Sequence, residues 1–158
     1  GTTVVDCARV AERIHDRLAE DGLTCYPRTS GGKGMQLYLP VTVSRPEQTS
    51  EFAKALAEEM ARQTPGTITA VMAKARRRGK VFVDWSQNNP YKTTIASYSL
   101  RGRARPTVAT PVSWDEVRAC RRPDDLTFTA ADLPARLDEH GDLLDGLFTE
   151  PQRLPRRG

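Results

Sequence analysis

The sequence predicts an α+β domain with a largely antiparallel central sheet flanked by helices. Three observations point there: apolar residues at helical spacing near the N terminus, short alternating runs around a glycine-rich segment, and strands interrupted by helices without a regular βαβ rhythm. At 158 residues the chain fits one compact domain. No repeat or internal linker divides it, so the expected organisation is one domain over 1–150 followed by a loose basic tail over 151–158.

Val4, Ala8, Ala11, Ile14 and Leu18 recur at helical spacing, Thr3 with Asp6 forms a variant capping box and Gly22 suits the stop. The first helix is therefore expected over about 4–20. Positions 23–29 read as extended, Ser30-Gly31-Gly32-Lys33-Gly34 breaks them, and 35–41 alternates again, giving strand, glycine-rich loop, strand. Phe52, Leu56 and Met60 mark a second helix that Pro65-Gly66 ends. Positions 68–75 are ambiguous. Positions 80–85 are a short β-rich run closed by the turn formers Asn88-Asn89-Pro90, which sets Asp84 near a strand end. A strand over 107–112 leads to a capping box at Ser113-Trp114-Asp115-Glu116, and Thr129 with Asp132 opens a last helical region broken at Gly141.

Composition narrows the class of function. The apolar fraction is 38% and the charged fraction 28%, enough patterning for a folded, soluble chain with an economical core. No apolar run approaches the ~20 residues needed to cross a bilayer, and no signal or transit peptide is recognised, so a cytoplasmic, nucleoid-associated protein without membrane contact is expected. Cys7, Cys25 and Cys120 lie far apart and outside any C-x-x-C pair, which supports neither a disulfide framework nor a zinc site. His15 and His140 sit in or after charged helical segments, where solvated or capping roles are expected rather than catalysis.

The net charge of +4 is unevenly spread. Positions 72–105 hold nine Lys or Arg and the single acid Asp84, so that segment carries +8 and the rest of the chain −4. Concentrated positive charge suits a surface that meets phosphates, although a solvated basic face would look the same.

Asp84 is the leading candidate for chemistry. Aspartate is a poor strand former, and its place among Val81, Phe82, Val83 and Trp85 fits either a strand-ending residue bonded to a turn or a ligand for Mg²⁺ or Mn²⁺. Two-metal transfer sites use two or more acids, so Asp84 needs carboxylate partners. The loop over 30–34 frees backbone amides to approach an anion, with Lys33 placed for a phosphate and Ser30 for a hydroxyl hydrogen bond. It lacks the Walker A spacing and is followed by a strand, so a plain hairpin turn remains the alternative. Arg76, Arg77 and Arg78 precede Asp84, and Arg101, Arg103 and Arg105 follow it. Their guanidinium forks suit phosphates, while Trp85, Tyr91 and Tyr98 offer stacking faces or, equally, core packing.

Three segments together resemble the polymerase domain of bacterial DNA ligase D, a member of the archaeo-eukaryotic primase superfamily. They are Thr29-Ser30-Gly31-Gly32-Lys33-Gly34, then Gly79-Lys80-Val81-Phe82-Val83-Asp84-Trp85-Ser86-Gln87-Asn88, then Lys92-Thr93-Thr94-Ile95-Ala96-Ser97-Tyr98-Ser99-Leu100-Arg101-Gly102. The resemblance spans about Gly1 to Phe148 and implies the C-terminal half of a primase-polymerase-like domain. It implies nucleotidyl transfer, ribonucleotides preferred, at broken DNA ends during non-homologous end joining, with nucleoside triphosphate, DNA ends, the Ku protein and a ligase domain as partners and Mn²⁺ or Mg²⁺ as cofactor. By position, Asp84 resembles the third metal-binding aspartate, Ser30 and Lys33 the nucleotide-loop residues, and Arg101 a triphosphate-binding arginine. Arg77 matches a phosphate contact and Gln87 a ribose contact.

Two departures qualify this. The family's Asp-x-Asp pair is absent from the sequence and is expected upstream of Gly1. The family's Ser…His motif has Gln36 at the histidine position, and glutamine can donate a hydrogen bond to a phosphate but cannot carry its charge. The expectation is thus part of an enzyme that is incompetent as this chain alone, or a non-catalytic module that binds nucleotides or DNA ends. A half-domain would also expose apolar surface and could self-associate.

Overall fold

Local sequence signals place the first helix, and burial of one face holds it. The computed structural model describes residues 1–149 and 151–155. In α1 (Val4–Glu20) the Asp6 N–H donates to the Thr3 hydroxyl (3.4 Å) while the Asp6 carboxylate accepts from the Thr3 N–H (2.7 Å), the reciprocal cap expected. Val4, Ala8, Ala11, Ile14 and Leu18 are buried on one stripe, joined by Val10. Gly22 takes φ +73° just past the helix, a conformation glycine adopts without steric cost.

The remaining elements are β1 (Tyr26–Thr29), β2 (Met35–Tyr38), β3 (Val41–Thr42), α2 (Glu47–Gln63), β4 (Ile68–Thr69), β5 (Val81–Phe82), β6 (Leu100–Arg101), β7 (Thr107–Val108), α3 (Trp114–Ala119), α4 (Leu133–His140) and β8 (Gln152–Arg153). Short 3-10 turns lie between several of them, including Lys74–Arg77 and Trp85–Gln87. The chain divides into two compact units, one made of Gly1–Thr2, Val41–Thr94 and the segment beginning at Gln152, the other of Thr3–Pro40 and Ile95–Pro151.

In the larger unit, β1 and β2 pair antiparallel with Arg28 opposite Gln36, and β6 pairs antiparallel with β7. Backbone bonds from the Thr29 N–H to the Thr110 carbonyl (2.9 Å) and from the Val112 N–H to the Pro27 carbonyl (3.1 Å) tie β1 to the stretch after β7. An antiparallel layer therefore runs from β2 through β1 and the 107–112 stretch to β6. Its core gathers Val4, Ala8, Val112, Val117, Cys120 and Leu126, with Trp114 and Phe128 packed against them. Arg9 closes α1 onto α3 by donating to the Val117 carbonyl (2.6 Å), near the C-terminal end of that short helix.

In the other unit, β4 and β5 pair in parallel, as do β3 and β8. α2 packs on the 3-10 turn Trp85–Gln87, with the Lys54 ammonium 5.3 Å from the centre of the Trp85 ring. The indole N–H of Trp85 donates to the Ala70 carbonyl (3.1 Å), so this ring serves packing.

The mixed helix-and-strand class is as expected, whereas the largely antiparallel central sheet is met only in part: the described residues form four two-stranded sheets, two antiparallel and two parallel. The tail expected to be loose contains β8, which its backbone pairing with β3 orders; positions 156–158 of that tail lie outside the described residues. β5 stops at Phe82, so Asp84 lies beyond the strand rather than within an 80–85 run. The ambiguous 68–75 stretch resolves into β4 and the start of a 3-10 turn. No helix among the described residues is long and apolar enough to cross a membrane. The three cysteines are unpaired, and burial pushes the thiols of Cys7 and Cys25 up to about 11 and about 12, which leaves them protonated and poorly nucleophilic.

Candidate functional site

The candidate residues fall into two groups, one in each unit. Around Asp84, the change of direction after β5 is made by the aspartate itself. Its Oδ1 accepts from the Ser86 N–H (3.2 Å) and the Ser86 hydroxyl (2.5 Å), capping the turn Trp85–Gln87. Gln87 donates its amide to Asp84 Oδ2 (3.2 Å), and Lys92 donates to the Ser86 hydroxyl oxygen (2.8 Å). Gln87 is thus held beside Asp84 from the same turn, and the half-buried carboxylate is fixed by three donors.

Arg77 works within its own loop. Its guanidinium donates to the carbonyls of Val71 and Met72 and stacks 3.7 Å from the centre of the Phe82 ring, bracing the connection from β4 to β5. Arg76, Arg78, Lys74 and the large apolar residues Val71 and Met72 remain exposed on that connection.

A carboxylate is a hard oxygen donor suited to Mg²⁺ or Mn²⁺, and Asp84 can supply one such ligand. One is not a set. Among the described residues no group of three His, Cys, Asp or Glu could hold a metal ion, so these residues do not make a complete metal site by themselves.

The second group surrounds the loop between β1 and β2. The Ser30 N–H donates to the Gly34 carbonyl (2.9 Å), and the Ser30 hydroxyl oxygen accepts from the N–H groups of Gly32 (3.3 Å) and Gly34 (3.2 Å). The hydroxyl proton is left as the group that can be donated outward. Lys33 is exposed at the tip. Arg101 and Arg103 reach this loop from the β6 side: a methyl group on Gly31 would lie 2.6 Å from Arg101 Cγ, and one on Gly32 would lie 2.7 Å from Arg103 Nη2. The structure therefore brings Ser30, Lys33, Arg101 and Arg103 around one loop.

Gly31 has φ +72°, and an added methyl would also meet the backbone nitrogen of Ala109 at 3.1 Å. Gly31→Ala is expected to cost about 1–3 kcal/mol, through strain and displacement of Arg101. Gly34→Ala, whose added methyl meets nothing nearer than 3.4 Å, is expected to be nearly neutral in the same thermal melts.

Gln36 is drawn to a residue that sequence reading missed. Its amide oxygen accepts from Arg28 Nε (3.0 Å) and from Arg28 Nη2, while Arg28 Nη1 donates to the Ser97 hydroxyl (2.9 Å). Arg28 is 2% exposed, and burial lowers its pKa from the usual arginine value. The available signal was an arginine midway along a strand otherwise flanked by buried positions, opposite a glutamine in register.

Tyr98 is the other unforeseen feature. It is the one non-glycine residue among those described with positive φ (65°), and its hydroxyl donates to Asp142 Oδ1 (2.9 Å). Burial, and then the bond to Asp142, push this phenol up to about 12. The ring is committed to that contact, which leaves Tyr91, 94% exposed, as the open aromatic face among Trp85, Tyr91 and Tyr98.

Comparison with known proteins assigns the chain to a family. A family model described as the LigD primase-polymerase domain matches residues 1–144. The chain therefore belongs to the LigD primase-polymerase domain family. It is 42% identical over 145 residues to the multifunctional non-homologous end joining protein LigD of Mycolicibacterium smegmatis, covering 91% of this chain and 19% of that protein. It is 32% identical over 153 residues to the bifunctional non-homologous end joining protein LigD of Bacillus subtilis, covering 96% of this chain and 24% of that protein. Among solved structures it is similar to the polymerase domain of Mycobacterium tuberculosis ligase D in complex with DNA, with a TM-score of 0.85 at 40% identity, over 96% of this chain and 52% of that one. The chain thus spans about half of that solved domain and a quarter or less of these two curated relatives.

Proposed function

We propose that the chain is half of a metal-dependent nucleotidyl-transfer domain of the primase-polymerase type, preferring ribonucleotides, that acts at broken DNA ends in non-homologous end joining. The observation that carries this reading is the loop over 30–34, where the Ser30 hydroxyl and Lys33 share one loop with the approaching Arg101 and Arg103 in a chain of this family. Guanidinium forks, a lysine ammonium and a hydroxyl proton beside one loop suit the oxygens of a triphosphate.

In this reading Ser30, Lys33, Gln36 and Arg101 hold the nucleoside triphosphate, Gln87 meets its ribose and Arg77 contributes a phosphate contact. Asp84 supplies one ligand to Mn²⁺ or Mg²⁺, with further carboxylates from a segment outside these 158 residues. When bound, the ion offsets negative charge on the triphosphate. The Ser86 and Gln87 bonds fix the Asp84 carboxylate before any ligand arrives, which limits the reorganisation that binding requires.

DNA ends are the proposed second substrate, supported by the DNA complex of the similar polymerase domain and by the exposed basic β4–β5 connection. Ku and a ligase domain are the proposed partners, in the bacterial cytoplasm at the nucleoid. Self-association of the isolated half-domain is proposed from the exposure of Tyr91 (94%) and Phe148 (85%).

Titration of the chain with a ribonucleoside triphosphate tests the site. Arg101→Ala is expected to weaken affinity on the order of tenfold, the usual effect of losing a charge-assisted hydrogen bond. Affinity unchanged in both Arg101→Ala and Ser30→Ala would reject it. Asp84 without a carboxylate cluster favours the second reading, a non-catalytic module that binds nucleotides or DNA ends. That reading expects salt-sensitive, metal-independent DNA binding and no incorporation even when the upstream half of the domain is supplied.

A further inference from the structure

Arg28 is a buried guanidinium for which the structure provides no carboxylate partner among the described residues. Its donors reach only neutral acceptors: Gln36 Oε1, the Ser97 hydroxyl (2.9 Å) and the Ile95 carbonyl (2.7 Å), with the Tyr38 ring centre 5.0 Å away. An arginine keeps its proton in proteins, and a buried charge without an opposite partner is costly. The guanidinium satisfies these acceptors and, in doing so, fixes a positive charge at this place in the layer.

Its position says what the charge faces. Arg28 lies on β1 two residues before Ser30, directly opposite Gln36 in register, and is bonded to Ser97, four residues before Arg101. Each segment it ties together carries a residue of the proposed triphosphate site. We propose that Arg28 is a positioning residue for a nucleoside triphosphate: it orients Gln36 and supplies, from the adjacent strand, the fixed positive charge that position 36 lacks.

A guanidinium only donates, so its two bonds decide that the Gln36 oxygen faces Arg28 and that the amide nitrogen takes the opposite side. Withdrawing electron density through that oxygen also makes the amide N–H groups stronger donors. The inference rests on reading Ser30, Gln36 and Arg101 as triphosphate contacts.

The test measures ATP and adenosine affinities of the 158-residue chain, with thermal melts to monitor folding. Arg28→Met is expected to weaken ATP binding on the order of tenfold or more while leaving adenosine binding unchanged, and Arg28→Lys to recover part of the loss. Ser97→Asp sets a carboxylate against the same guanidinium and is expected to weaken ATP binding selectively in a folded chain, which decides the matter should Arg28→Met fail to fold. Equal loss of ATP and adenosine affinity, or none, in these folded variants would overturn the role of Arg28. Loss of ATP affinity in Arg101→Ala and Ser30→Ala with none in Ser97→Asp or Arg28→Met overturns this inference alone. Absence of ATP binding by the unmodified chain, or no effect of Arg101→Ala and Ser30→Ala, overturns the site reading and this inference with it.

Discussion

Replacement of Asp84 by alanine, in a polymerase domain that contains this chain together with its upstream half, is expected to lower nucleotide incorporation by ~10³-fold or more, the scale of losing a metal ligand worth several kcal/mol. The structural consequence is far smaller. Asp84 caps only a single 3-10 turn, so losing the cap costs about 1 kcal/mol and moves the melting temperature by about 2–4 °C. Serine separates the two roles, because Asp84→Ser keeps a side-chain oxygen that can accept from the Ser86 N–H while removing the carboxylate. Incorporation and thermal melts measured on both variants give the answer. If serine restores activity as well as stability, Asp84 is a turn cap and the metal assignment fails.

The largest effect on stability is expected at the Glu116–Arg136 pair. Glu116 completes the capping box of α3 by accepting from the Ser113 N–H (2.8 Å), and it also accepts both forks of Arg136, one at 3.0 Å. Arg136 in turn donates to the Pro111 carbonyl (3.1 Å) and stacks 4.2 Å from the centre of the Phe128 ring. The side chains are only 24% and 15% exposed, so removing one leaves the other charged and poorly solvated. Glu116→Ala is expected to cost about 3 kcal/mol, or about 8 °C in melting temperature. Burial raises the Glu116 pKa, but the hydrogen bonds from Arg136 and Ser113 outweigh it and hold the group below its ordinary value. The stabilisation is therefore fully present above the unfolded-state pKa of about 4.3 and is lost as pH falls through the lower folded-state value. Melts across that window should flatten in Glu116→Gln relative to the unmodified chain.

What was legible in the sequence was whatever depended on neighbours a few residues apart. The reciprocal caps at Thr3 with Asp6 and Ser113 with Glu116 join residues three apart and are formed, and at Thr129 the Asp132 carboxylate accepts from the Thr129 N–H and hydroxyl. The strand–loop–strand around Ser30 is equally local. By contrast, β4 with β5 and β3 with β8 are two-residue parallel pairs between segments 13 and 111 positions apart, and two residues carry no periodicity. The basic segment was readable as a charge excess, yet charge counts cannot tell Arg77, which braces its own loop, from Arg76, which stays exposed. Arg28 was hidden for the opposite reason. Its role depends on what lies across a strand and at positions 95–97, and a sequence passage through β1 presents it as one more strand residue.

The division of the chain also bears on how it is made. Neither unit is continuous: one interrupts the other, and β3 obtains its partner only when Gln152 and Arg153 have been added. The core of the other unit likewise joins Val4 and Ala8 to Val112 and Val117, more than a hundred residues later. A growing polypeptide leaving the ribosome can form α1 and the β1–β2 hairpin early, but it can complete neither unit until the segments around positions 151–153 have emerged. Both units therefore close nearly together, once position 153 has emerged, and the apolar face of α1 must remain protected from aggregation during that interval.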